Sequence, residues 1–224
     1  MCLKRCLSPC GECATMVATM ESETPHLRGC LVVFEGIDGT GKSTQIELLA
    51  RYLRARDIEV ETDFEPTRGP WGMKVRQAAQ SGERLSVEDE VECLLQDRRE
   101  HVRNFIEPAL AAGKWVLLDR YYLSMMAYQG ASGEDVERLR EMNEEFATIP
   151  DAAFWLDIPV ETALERMNAR GNGHDAFEKE DFLSAVAKVY SEMEMPWLHR
   201  IEADGTIDEV QQRVREVILQ ELGV

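Results

Sequence analysis

Gly36, four residues, then Gly41-Lys42-Ser43, directly after the apolar run Leu31-Val32-Val33, is a spacing suited to holding phosphate. In such a loop the backbone N–H groups turn inward on a β-phosphate, and the helix that follows adds the positive end of its dipole. Gly36, Gly39 and Gly41 permit the tight path, while Lys42 reaches the β- and γ-phosphates of a nucleoside triphosphate. The Ser43 hydroxyl is a ligand for Mg²⁺, and Ile37, Asp38, Thr40 and Thr44 complete the stretch that would wrap ATP.

Three further groups could serve the same chemistry. Trp115-Val116-Leu117-Leu118-Asp119 reads as an apolar strand ending in an acid, the place from which a carboxylate orders Mg²⁺ or its water shell beside a phosphate loop. Arg120 beside it, and Arg68 in a turn braced by Pro66, Gly69 and Pro70, offer the forked donors that suit a phosphate. Phosphoryl transfer also needs positive charge over the migrating group. The loop offers Gly39 and Thr40 where an arginine could stand, so that charge is expected from Arg170, which precedes Gly171-Asn172-Gly173 and could ride a closing lid.

The elements that must carry these groups are legible as alternating strand-length and helical patterns. Strands are expected at 31–35, 58–62, 115–119, 153–157 and 197–201. Helices are expected at 43–56, 72–80, 87–111, 134–147, 160–169, 178–195 and 207–221. This alternation predicts an α/β fold, a five-stranded parallel sheet with helices on both faces, in which ligands collect at the carboxyl edge of the strands. The 224 residues, 44% of them hydrophobic, suffice for one core, so 28–224 is expected to be a single domain. Residues 1–27, with Cys2, Cys6, Cys10 and Cys13, read as a disordered extension or as a start assigned upstream of Met16 or Met20.

A formal net charge of −17 argues against binding a nucleic acid backbone and for small partners. The sequence holds no apolar run of membrane-spanning length and no signal-peptide core at its start, so a cytoplasmic location is expected.

With these features in place, the chain resembles the thymidylate kinases, P-loop nucleoside monophosphate kinases that pass the γ-phosphate of ATP to dTMP. The resemblance runs from about Leu31 to the end. It rests on Phe34-Glu35-Gly36-Ile37-Asp38-Gly39-Thr40-Gly41-Lys42-Ser43-Thr44-Gln45, Glu65-Pro66, Ile106 to Leu110, Asp119-Arg120-Tyr121 with Ser124, Ala127-Tyr128-Gln129-Gly130, and Pro150-Asp151 leading to Leu156-Asp157-Ile158-Pro159. It implies that Asp38 faces the acceptor sugar, that Arg120 and Arg68 hold the acceptor phosphate, and that Tyr128 lies against the deoxyribose. Ser124 and Gln129 would flank the base, with Arg98 donating to the pyrimidine O4 and Glu65 beside the acceptor. It also implies a short lid and a homodimer.

Three features depart from the family pattern. Leu94 stands where a phenylalanine usually stacks on thymine, which makes a dUMP kinase the nearest rival in specificity. The lid carries fewer arginines, with Asn168 and Ala176 at two such places. Thr67-Arg68 replaces the usual Gly-Gly after the second strand. The expected reaction is Mg²⁺-dependent transfer from ATP to dTMP. The alternatives are a kinase for another deoxynucleoside monophosphate, a deoxynucleoside kinase with Glu65 as base, and a non-catalytic nucleotide-binding protein.

Overall fold

The computed structural model describes residues 28–82, 85–169 and 176–224, of 176–179 the backbone alone. Within them five strands run parallel: β1 (Leu31–Glu35), β2 (Val60–Phe64), β3 (Trp115–Asp119), β4 (Ala152–Asp157) and β5 (Leu198–Glu202). Their order is β2-β3-β1-β4-β5. Every residue of β1, and Trp115–Leu118 of β3, is buried. Successive strand side chains point to opposite faces, so burial of all of them means that both faces are covered. The three-layer arrangement expected from the alternation is therefore present.

The helices are α1 (Lys42–Arg54), α2 (Pro70–Ser81), α3 (Val87–His101), α4 (Glu107–Ala111), α5 (Tyr122–Ala131), α6 (Val136–Glu144), α7 (Val160–Ala169), α8 (Ala176–Glu192) and α9 (Ile207–Leu222). α1 packs on α9, whereas α5 packs on α3, α6 and α8.

Three differences from the sequence reading have physical causes. β2 runs over 60–64 rather than 58–62: as an edge strand it pairs with β3 alone and tolerates Glu61, Thr62 and Asp63, so apolarity does not mark its end. The single helix expected at 87–111 is interrupted by a π-helical turn, Val102–Ile106, in which the Glu107 N–H donates to the Val102 carbonyl. That turn sits just before Pro108, which has no N–H to continue the ladder. Helix α5 lies in a stretch read as a connection, because Tyr122 to Ala127 are all buried and leave no polar stripe to reveal a helical period. The expectations for residues 1–27, for Arg170 and for Gly171 to Asp175 lie outside the described residues.

Candidate active site

The register of the sheet assembles the site. Asp119 is level with Phe34 on β1 and with Phe64 on β2, so the segments leaving β1, β2 and β3 emerge side by side at the carboxyl edge. Between them opens a cleft of about 780 Å³, lined by Asp38 to Thr44 without Thr40, by Asp63, Phe64, Glu65 and Arg68, by Arg76, and by Asp119 and Arg120.

The phosphate loop leaves β1 at Gly36 and enters α1 at Lys42. Gly39 has φ of 89°, and a Cβ there would lie 2.5 Å from the Ala163 carbonyl oxygen on α7. Thr40 is 3% exposed and its hydroxyl donates to the Ile37 carbonyl at 3.1 Å. Neither position has room for a larger side chain with the loop in this conformation. Lys42 Nζ donates to the Gly36 and Ile37 carbonyls, each at 3.0 Å. Burial, with Arg120 nearby, lowers its pKa to about 8 against the pull of Asp119, Asp38 and Glu35.

At the floor, the Ser43 hydroxyl donates to Asp119 Oδ2 at 2.6 Å. A hydroxyl and a carboxylate side by side are hard oxygen donors of the kind Mg²⁺ takes when phosphates and water supply the rest of its shell, so the residues present fit that ion.

Arg120 follows Asp119 with its backbone at φ 72° and reaches back to the loop. Its guanidinium donates to Asp38 Oδ1 at 2.7 Å, Ser124 Oγ at 3.0 Å and Tyr128 Oη at 3.0 Å, and lies 4.9 Å from the centre of the Tyr128 ring. Asp38, Arg120, Ser124 and Tyr128, four of the residues assigned to the acceptor from the sequence, thus form one cluster. Arg68 stacks on Phe64 at 5.3 Å and lines the cleft. Leu94, Arg98 and Gln129 are buried and not among the lining residues.

The thymidylate kinase family model matches residues 34–214. The chain is 57% identical over 197 residues to a thymidylate kinase of Akkermansia muciniphila, covering 88% of this chain and 95% of that one. It is 47% identical over 193 residues to a thymidylate kinase of Desulfotalea psychrophila, covering 86% and 94%. The corresponding enzyme of Xanthomonas campestris pv. campestris is 44% identical over 194 residues, covering 87% and 85%. The chain belongs to the thymidylate kinase family.

As a thymidylate kinase family member, it is a nucleoside monophosphate kinase with ATP as phosphoryl donor, and around the expected Glu65 and Arg98 its site contains His101, Asp97 and Arg76, which sequence reasoning missed. Glu65 lines the cleft, but its carboxylate is already committed: Arg98 approaches Oε2 with Nε at 2.8 Å and Nη2 at 2.6 Å, and His101 Nδ1 lies 3.0 Å from Oε1. Arg98, 1% exposed, also donates to Asn143 Oδ1. His101 Nε2 lies 3.3 Å from Asp63 Oδ2, off the direction of a hydrogen bond. Burial opposes a charge on His101, but Asp63 and Glu65 outweigh it and raise its pKa to about 9. A buried arginine and histidine therefore hold the Glu65 carboxylate in place.

Asp97, beside Arg98 on α3, faces the other way. It accepts from Thr67 N at 2.7 Å, Thr67 Oγ1 at 2.6 Å and Gly72 N at 3.0 Å, clamping the turn that presents Arg68. The departure from Gly-Gly noted at Thr67-Arg68 thus has a partner. Arg76 donates to the Pro66 carbonyl through Nε at 2.9 Å and stacks on Phe64 at 4.7 Å, bracing the same turn. For these residues the available signals were weak: an acid adjoining Arg98, and a second arginine eight residues after Arg68.

Proposed function

We propose that this chain transfers the γ-phosphoryl group of ATP to dTMP, giving dTDP and ADP. The observation that carries the reading is the meeting, in one cleft, of a triphosphate loop with Asp38 and Arg120, behind which Tyr128 holds the Arg120 guanidinium. One wall suits a donor triphosphate and the other an acceptor monophosphate with its sugar. A phosphate oxygen of dTMP is already anionic at neutral pH, so it can attack the γ-phosphorus as the bond to the β-phosphate oxygen breaks, without a general base. Positioning and charge neutralisation then carry the rate.

In this reading Lys42 leaves the loop carbonyls for the β- and γ-phosphates, and the loop N–H groups hold the β-phosphate. Ser43 and Asp119 would hold Mg²⁺, which when bound neutralises charge on the phosphate oxygens. Arg120 and Arg68 receive the acceptor phosphate, Asp38 faces the sugar hydroxyl, and Tyr128 lies against the deoxyribose. The resemblance assigns base recognition to Leu94, Arg98, Ser124 and Gln129 of α3 and α5, for Arg98 and Ser124 in addition to their bonds to Glu65 and Arg120, and Arg170 would supply lid charge. The saturated Glu65 carboxylate favours an acceptor that needs no base over a nucleoside acceptor.

No helix of the described residues is long and apolar enough to cross a membrane. The net charge of −17 supports small nucleotides over nucleic acid as partners. The family resemblance supports a cytoplasmic homodimer, which sedimentation tests for assembly. An ADP-release assay with dTMP, dUMP, dCMP, dGMP and thymidine tests the reaction. Strongest stimulation by dTMP is expected, and no stimulation by dTMP would overturn the proposal.

A further inference from the structure

β1 is apolar at its first four positions and ends in Glu35, whose carboxylate is fully buried. Sequestering a carboxylate is costly, and in the reading above it touches neither nucleotide. Its hydrogen bonds show what it does. Oε1 accepts from Tyr121 N at 2.9 Å, and Oε2 accepts from Ser124 Oγ at 2.5 Å and Tyr190 Oη at 3.0 Å. One residue earlier, Arg120 N donates to the Phe34 carbonyl at 2.9 Å. Residues 120 and 121 are thereby stitched to residues 34 and 35.

Arg120 sits inside that stitch with φ of 72°, a conformation that a residue with a Cβ adopts at an energetic cost and keeps only where its surroundings over-determine it. The side chain is held through the same carboxylate. Ser124 Oγ gives its hydrogen to Glu35 and accepts from Arg120 Nη1 at 3.0 Å. Tyr190 lies on α8, the helix that follows residues 170–175, and stacks on Trp155 of β4.

We infer that Glu35 is a positioning residue: its buried carboxylate locks Arg120 in the strained backbone conformation that aims the guanidinium into the cleft, and ties that lock to α8. The inference rests on the reading of Arg120 as the ligand of the acceptor phosphate.

The charge state of Glu35 gives a readout that separates positioning from simple scaffolding. Burial raises its pKa to about 7, offset in part by Ser124, Arg120, Tyr190 and Tyr121; Lys42 and Tyr128 are the other titratable groups that sense it. Relative to the unfolded chain, the folded state favours the protonated acid over the carboxylate, and stability present below the ordinary carboxyl range is lost as pH rises through about 7, above which the carboxylate accepts its three donors. Glu35→Gln removes that cost above neutrality. It also obliges Ser124 to accept a hydrogen bond where it had donated one, in competition with Arg120.

Steady-state kinetics and thermal unfolding above neutral pH test this on wild type, Glu35→Gln, Tyr190→Phe and Arg120→Ala. Glu35→Gln is expected to keep or raise the unfolding temperature while raising KM for dTMP about tenfold, with KM for ATP within about twofold. Tyr190→Phe, which leaves the carboxylate but removes one of its donors, is expected to raise KM for dTMP about threefold. If Arg120→Ala raises KM for dTMP but Glu35→Gln and Tyr190→Phe do not, the inference fails alone. If both KM values and the unfolding temperature of Glu35→Gln deteriorate together, Glu35 is merely structural. If Arg120→Ala leaves KM for dTMP unchanged, the assignment of Arg120 fails and the inference with it.

Discussion

Replacing Asp97 by alanine tests whether the turn after β2 is held ready for the acceptor. The Asp97 carboxylate accepts three hydrogen bonds, two from Thr67 and one from Gly72 N, and a Cβ on Gly72 would lie 2.4 Å from the Thr67 carbonyl, so the turn has no slack to re-pair by itself. Hydrogen bonds to a charged acceptor contribute about 1.5–3 kcal/mol each. Thr67 is only half-buried, so water replaces part of the loss, and a total near 2–4 kcal/mol follows. For a chain of this size that lowers the unfolding temperature by about 4–16 °C. Arg68, freed from its turn, should lose about 1–2 kcal/mol of contact with the acceptor phosphate, raising KM for dTMP by about five- to thirtyfold with little change for ATP. Thr67→Ala should cost about 1 kcal/mol alone and less on top of Asp97→Ala, because the two groups share a bond. The assay pairs thermal unfolding with steady-state kinetics of all four members of the cycle. A destabilised Asp97→Ala enzyme with unchanged KM for dTMP, or strictly additive effects, would refute the argument.

Other outcomes follow from the charged groups around the cleft. His101, raised to about 9 by Asp63 and Glu65 against its burial, contributes stability that is complete below its ordinary pKa and lost as pH climbs through about 9. Denaturant unfolding across that window should show a fall of about 3 kcal/mol, absent in His101→Gln. Lys42, lowered to about 8, must be protonated to meet a triphosphate, so ATP affinity measured by calorimetry should weaken above that pH. The limiting slope approaches about tenfold per pH unit, and Lys42→Met should flatten it. Arg170→Ala should cut turnover by about 100-fold while leaving the Kd for ATP within about threefold; equal kcat for variant and wild type would remove this residue from the mechanism.

What the sequence disclosed, and what it hid, divides along chain distance. The phosphate loop, Asp119 and Arg120 were legible because each lies within or directly after an apolar strand, and the chemistry of such edges is local. Helix α5 stayed hidden because it is buried all round, and the end of β2 because an edge strand tolerates polar residues. The role of Glu35 depends on partners 86 and 155 residues away, Tyr121 and Tyr190, and that of Asp97 on Thr67 thirty residues before it. No spacing rule links such pairs, since the packing of helices against the sheet and one another brings them together. The same holds for Glu65: the sequence places it beside the acceptor, while its commitment to Arg98 and His101 emerges only once α3 packs along the turn after β2.

Label transfer tests the central claim most directly. The protein is incubated with Mg²⁺, dTMP and ATP labelled at the γ-phosphate, and the nucleotides are separated. The account predicts that the label appears in dTDP, one for each ADP formed. Label released as inorganic phosphate, or carried by a product of another acceptor with dTMP untouched, would contradict it.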